Sequence, residues 1–402
     1  MCRYARTLRG DILVECNPGG VPARVEPPVD HARLLENGEA FWDEGRPPGL
    51  RNGTLHSRIR TYKVARKMGN MAFAYVTTPL EAAESMAFNR DCLGCICWFE
   101  YGRIVSMPGS KDPVSPELSA YVRFFRTRRD LLQAGSVVAD VAVLRSFASQ
   151  AFGSGPHALL ADRVEQALIE QRIPFQIVDG RHLADLRAYR VLVLAGCAAL
   201  SDAEISSIRR FVEAAGRLCI IGPAATHDEW FVPRDRSALD ALPDSCAVRL
   251  GLDDDAVGGI RRALAGPCSL SVHAPQGVCA ELVEQPGRRL VHLVNYRPDG
   301  PARALPVAVR LPPSVRARRV VIAAPEQDDD RPAAFRENDG VVEFKVPAMK
   351  VYAIAVVEYE QGTASSHGRE AERPAAPQGS SPGPGSISSS PTVEPASGTG
   401  QH

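Results

Sequence analysis

Val141-Ala-Val-Leu-Arg145, Phe175-Gln-Ile-Val178, Val191-Leu-Val-Leu-Ala195 and Leu218-Cys-Ile-Ile221 are four short apolar runs separated by amphipathic stretches. The interval before the last run, Ser201-Asp-Ala-Glu204-Ile-Ser-Ser-Ile208-Arg-Arg-Phe211-Val212-Glu-Ala-Ala-Gly216, reads as one helix. Ser201 and Glu204 have the spacing of a capping box, and Leu200 can staple onto Ile205. Ile205, Ile208 and Val212 share one face, and Gly216 stands where a left-handed cap belongs. Strands that are apolar throughout and alternate with helices belong to a parallel sheet covered on both sides. The stretch therefore predicts a doubly wound α/β unit over residues 137–246, followed by a connection over 247–268 with a short helix.

Upstream, residues 1–134 alternate in the same way. Strands are expected at 12–16, 40–43, 72–76 and 95–99, with helices at 57–68, closed by Gly69, and at 79–88. Thr78, Pro79 and Glu81 give the second helix a cap, a first-position proline and a capping box. Ser115-Pro116 opens a further helix with Leu118, Tyr121, Val122 and Phe125 on its apolar side. About four β/α units make half of an eight-unit barrel, which leaves an open sheet edge. Downstream, residues 269–358 hold strands without helices, separated by Pro, Gly and Asp turns, as in a small β-sandwich. Residues 359–402 are rich in Ser, Pro, Gly, Ala and Glu and read as a disordered tail. The fold class is thus α/β multidomain: a partial (β/α) barrel, a doubly wound parallel sheet and a β-sandwich.

Composition narrows the partners. Lys and Arg number 47, as do Asp and Glu, so the net charge is zero and nothing favours nucleic acid or an anionic membrane. No apolar run approaches the roughly 18 residues of a membrane helix. The N-terminus has no apolar segment after its charges and is not read as a secretory signal. The 10 cysteines, many inside apolar runs such as Cys16, Cys95, Cys97 and Cys219, point to a reducing, cytoplasmic setting.

Three groups of residues resemble the family 42 β-galactosidase-type glycoside hydrolases. Tyr189-Arg-Val-Leu-Val-Leu-Ala195, Leu200-Ser-Asp and Phe211-Val-Glu-Ala-Ala-Gly-Arg-Leu218 look like that family's flavodoxin-like trimerisation domain. Val291-His-Leu-Val-Asn-Tyr296 with Phe344-Lys-Val-Pro347 is similar to its terminal sandwich. Ile59-Arg-Thr-Tyr-Lys-Val-Ala65, Met86-Ala-Phe-Asn89 and Gly94 are similar to the late barrel of related glycosidases. The resemblance spans roughly residues 10–358. It implies descent from a carbohydrate hydrolase, a carbohydrate substrate or ligand, a homotrimer, and a chain that lacks the first half of its barrel.

Glycoside hydrolysis uses two carboxyl groups across the scissile bond, and barrels place them at the C-terminal ends of strands. Glu44 with Asp43, Glu15 and Glu100 are the candidates on that rule. Trp42 and Trp98 offer faces for sugar stacking, and Asp30 and His31 could serve a sugar subsite. The resemblance also shows a departure. Counted back from the helix at 116–133, Asp43-Glu44 ends the sixth strand, whereas the family's nucleophile ends the seventh, which here reads Tyr75-Val-Thr-Thr78 without an acid. The reading is therefore a glycoside hydrolase, or one whose chemistry is lost in this chain. The alternatives are a non-catalytic oligomerisation or carbohydrate-binding protein and, more distantly, a Cys-dependent amidotransferase-like enzyme using Cys197. Gly196-Cys197-Ala198-Ala199 lacks the flanking glycine of a nucleophile elbow. Cys92-Leu-Gly-Cys95-Ile-Cys97 has no second pair to complete a zinc site. No metal and no cofactor is expected.

Overall fold

The four apolar runs pair in register as a parallel sheet. Val141–Leu144 lies between Phe175–Val178 and Val191–Ala195, and Arg217–Ile221 follows Val191–Ala195. Successive side chains point to opposite faces, as the pleat requires. Val141, Val143, Val191, Val193, Cys219 and Ile221 pack toward the helices Leu160–Glu170 and Ala256–Leu264. Ala142, Leu144, Leu192, Leu194, Leu218 and Ile220 pack toward the helix Asp202–Glu213. This is a computed structural model, and it describes residues 2–21, 29–36, 38–100, 103–106, 115–153 and 159–361, with the side chains of 98–106 excepted.

Two details of this sheet differ from expectation. Ala247–Leu250, read above as connection, is a fifth parallel strand beside Arg217–Ile221. The helix cap falls on Ala215, whose φ of 67° is left-handed, rather than on Gly216. Gly216 is needed for another reason: a Cβ there would lie 2.4 Å from the Phe211 ring.

In the N-terminal region, Glu15–Cys16, Ala40–Trp42 and Met71–Phe73 pair in parallel, and Tyr75–Val76 pairs in parallel with Cys95–Ile96. The strands are shorter than expected, but the helices Ile59–Lys67 and Pro79–Phe88 stand where the caps placed them. Gly69 carries the positive φ of 77° that ends the first, and the Thr78–Glu81 capping box is formed. Glu15–Cys16 has a sheet neighbour on one side only among the described residues. The hairpin Gly49–Arg51/Thr54–His56 and the helix His31–Leu35 were not read from the sequence.

Two antiparallel sheets complete the fold. Val278–Gln285, Arg288–Asn295, Tyr352–Gln361 and Val315–Ala323 form the centre of one; Ala302–Arg310 and Val341–Met349 form the centre of the other. Leu282, Val291, Leu293, Val307, Phe344 and Ala355 meet in the core between them. The opposite face of the first sheet, with Cys279, Val283, Leu290, Val294 and Ile354, joins the core shared with the N-terminal helices and the parallel sheet. A sheet buried on both faces explains why 352–357 is apolar without alternation, whereas 341–349 alternates. Ser136–Val137 belongs to this sheet, and its last strand continues through Gln361, three residues into the expected tail. The remainder of that tail, 362–402, lies outside the described residues.

All these elements form one compact unit. At its centre the Lys63 ammonium donates to Glu281 Oε2 at 2.6 Å and to the Phe175 carbonyl at 3.0 Å. One cation from the Ile59–Lys67 helix thus reaches both the parallel sheet and the six-stranded antiparallel sheet.

Candidate active site

Three of the eight expected residues, Trp42, Asp43 and Glu44, come together at one strand end in the N-terminal region, with different parts to play. Asp43 follows Ala40–Trp42 but its side chain turns inward and is buried. It accepts from Thr61 Oγ1 at 2.6 Å and from the Gly45 amide at 2.8 Å, so it organises the loop. Glu44, the next residue, is exposed. Its carboxylate accepts from the Tyr75 hydroxyl at 3.2 Å and from Asn17 Nδ2 at 3.1 Å. Burial, together with the bond to Glu44, holds the Tyr75 phenol above its ordinary pKa.

Trp42 lies beside this carboxylate. Its ring centroid is 5.5 Å from Phe73 and 5.4 Å from Tyr75, an aromatic ledge from the strands Ala40–Trp42, Met71–Phe73 and Tyr75–Val76. A half-exposed indole next to a hydrogen-bonding carboxylate suits the apolar face and hydroxyls of a sugar ring.

The other expected residues are placed elsewhere. Glu15 is exposed and opposite Ala40 in register, four residues before Glu44. It stands two residues before Asn17, whose amide bonds the Glu44 carboxylate. Asp30 caps the His31–Leu35 helix through the Arg33 amide, at 2.9 Å. His31 is buried, with Nε2 3.1 Å from the Gly19 carbonyl and its ring edge-on to Phe41. Both are structural parts of that turn. Trp98 and Glu100 lie in a strand paired with Arg103–Ser106, and their side chains are outside the described set.

Cys197 is 1 % exposed, and burial pushes its thiol up to about 12. A thiol that stays protonated is no nucleophile, and its surroundings are those of a core residue. Cys97 is likewise buried and pushed up to about 11. Among the described residues no group of three or more His, Cys, Asp or Glu could hold a metal, and no helix is long and apolar enough to cross a membrane.

Sequence reasoning missed a buried polar network directly behind Glu44. Arg58 donates to the Gly45 carbonyl at 3.2 Å and faces Glu81 at 3.5 Å. Glu84 accepts from the Arg58 amide and the Tyr296 hydroxyl, each at 2.9 Å, while its Oε2 has no partner among the described residues. Burial pushes this carboxyl up from 4.5 to about 7. A raised acid is protonated in the fold where the unfolded chain has already lost its proton. Stability should therefore fall as pH rises from about 4.5 to about 7 and level off above, by on the order of 3 kcal/mol. Glu84→Gln should flatten that slope; urea midpoints from pH 5 to 8 that change in parallel in both proteins would refute the assignment.

No protein-family model and no curated protein matches the sequence. Solved structures do. An alpha-L-fucosidase isoenzyme 2 from Paenibacillus thiaminolyticus matches with a TM-score of 0.60 and 18% identity, over 82% of this chain and 66% of that one. Gan42B, a GH42 beta-galactosidase from G. stearothermophilus, matches with a TM-score of 0.59 and 11% identity, over 89% of this chain and 65% of that one. A rhamnosidase from Novosphingobium sp. PP1Y gives 0.57 and 13%, over 93% of this chain and 39% of that one. The chain thus has a glycoside hydrolase-like fold and spans less than two thirds of the length of the chains it matches.

Proposed function

We propose that this chain is a glycoside hydrolase-like protein of carbohydrate metabolism, with Glu44 as its central carboxylate and Trp42 as its sugar-stacking face. The observation that carries the reading is the exposed Glu44, hydrogen-bonded by Tyr75 and Asn17, beside Trp42 at the ends of adjoining parallel strands. Ten free cysteines accord with a reducing, cytoplasmic setting. Titration with galactose, fucose and rhamnose and their aryl glycosides tests it. Binding that Trp42→Ala and Glu44→Gln both weaken by about tenfold or more, about 1.4 kcal/mol, supports the reading. Unchanged binding in both variants refutes it.

A second reading, carbohydrate binding without hydrolysis, is favoured by the locked Asp43, whose carboxylate is committed to Thr61 and Gly45 and is not free to act as the second carboxyl that hydrolysis needs.

We further propose a homotrimer assembled through the parallel-sheet region. Segments after two of its strands, one of them opening with the helix Phe147–Phe152, expose Phe147, Phe152, Leu159, Trp230 (74 %) and Val232 (55 %). The segments meet where a Cβ on Gly153 would lie 3.4 Å from the Phe231 ring. Exposed apolar patches of this kind mark interaction surfaces. Sedimentation equilibrium should show three chains, and Phe152→Asp with Trp230→Asp should return a monomer. A monomeric unaltered protein would count against the assembly.

A further inference from the structure

At the opposite end of the parallel sheet from those segments lies a cavity of about 460 Å³. It is framed by the residues that open Val191–Ala195 and Arg217–Ile221 and by the last turns of Asp202–Glu213 and Ala256–Leu264. Four arginines line it, Arg187, Arg190, Arg210 and Arg217, and no carboxylate does. Asp185 and Asp140 pair with Arg187 and Arg190, so the positive charge without a carboxylate partner among the described residues is that of Arg210 and Arg217. Phe211 and Tyr189 give the cavity an apolar wall.

The arginines differ in how they are held. Arg190 is fixed, donating to the Pro267 and Leu264 carbonyls at 2.8 and 2.5 Å and paired with the buried Asp140 carboxylate at 3.6 Å. Arg187 pairs with Asp185 at the exposed rim. Arg210 makes one bond, to Ser207 Oγ at 2.9 Å. The Arg217 side chain has neither a hydrogen bond nor an ion pair among the described residues, and its Nε is buried without a partner. Burying a guanidinium donor unpaired is costly, and a planar guanidinium matches two oxygens of a phosphate. Lys67 adds positive charge behind the wall, donating to the Tyr189 hydroxyl at 3.1 Å.

We propose that this cavity binds the phosphate of a small phosphate monoester. Arg210 and Arg217 grip the phosphate oxygens, and the organic body lies against Phe211 and Tyr189. The volume falls within the range of small-molecule sites. The site is separate from Glu44 and does not depend on the function proposed there.

Calorimetric titration of the full chain with glucose 6-phosphate, inorganic phosphate and glucose tests it. The expected result is saturable binding of the ester and weaker binding of inorganic phosphate, both with affinity falling as salt is added, and no glucose binding that depends on Arg210. Arg217→Gln and Arg210→Gln should each reduce affinity for the ester by about tenfold or more. Arg210 is on an exposed helix surface, so its variant reports on binding even where Arg217→Gln disturbs folding. Equal binding of inorganic phosphate and the ester would reject the role of the apolar wall. Glucose binding that Arg210→Gln weakens, no binding of the ester at millimolar concentration, or unaltered affinity for the ester in Arg210→Gln would overturn the proposal.

Discussion

Replacing Lys63 by methionine should lower the stability of the protein by about 3–5 kcal/mol, the usual cost of orphaning one member of a buried ion pair. Both partners are almost fully buried, and Glu281 would be left with no cation in contact. Burial draws the Lys63 ammonium below its ordinary pKa, and only the Glu281 carboxylate and the Phe175 carbonyl bond to it among the described residues. The Phe175 and Phe88 rings, 4.7 and 5.9 Å from Nζ, close off solvent. Glu281→Leu alone should cost a similar amount, whereas Lys63→Met with Glu281→Leu should recover most of it, because two apolar groups avoid the desolvation that the ion pair only offsets. The measurement is urea unfolding of the four proteins. Additive losses in the double variant would show that the two side chains do not act as a pair. The effect also bears on folding as a unit, since this one contact ties the Ile59–Lys67 helix to both neighbouring sheets.

Hydrolysis of aryl glycosides by this chain should run well below the roughly 1 per second at which ordinary enzymes begin, even where sugar binding is measurable. General acid–base assistance is worth about 10²–10⁴-fold, and it requires a second group at the right distance from Glu44. Asp43 is committed to Thr61 and Gly45. Glu15 is level with the start of the strand that Glu44 follows. A panel of nitrophenyl glycosides, with Glu44→Gln in parallel, separates the outcomes. Turnover at about 1 per second or faster that Glu44→Gln abolishes would establish a hydrolase with Glu44 at its centre and displace the binding-only reading. Slow turnover identical in both proteins would remove Glu44 from the chemistry.

The sequence shows some elements directly because their causes are local. Capping boxes at Thr78–Glu81 and Ser201–Glu204 are formed as read, since a hydroxyl and a carboxylate three residues apart need only each other and the backbone. The four apolar runs form parallel strands as read, though their lateral order, with Val141–Leu144 between Phe175–Val178 and Val191–Ala195, follows from the tertiary structure. Ala247-Val-Arg-Leu250 escaped notice because an edge strand is only half covered and Arg249 interrupts its apolar run. Gly216 sat at a position a cap would use, but the constraint on it is the Phe211 ring, which no local rule supplies.

The candidate site was legible in part. Glu44 and Trp42 follow from the rule that barrel chemistry gathers at strand ends. Tyr75 and Asn17 did not, because their bonds to Glu44 depend on which strands lie side by side and in what register. Asp43 and Glu44 are neighbours in sequence, yet one is buried and one exposed, a difference set by Thr61 on a helix 18 residues away.

By itself, then, the sequence determined the strongest periodicities: the four apolar strands, the capped helices Pro79–Phe88 and Asp202–Glu213, and that apolar area exists to cover a parallel sheet on both faces. Those properties depend on side chains a few residues apart. Tertiary structure alone decided how the three regions share one core, that Lys63 meets Glu281 across 218 residues, that Glu84 is buried with one oxygen unpaired, and that four arginines converge on one cavity. Each of these arises from distant segments brought into contact, and the free energy of burying a charge belongs to the place where it ends up, not to the residue type that carries it.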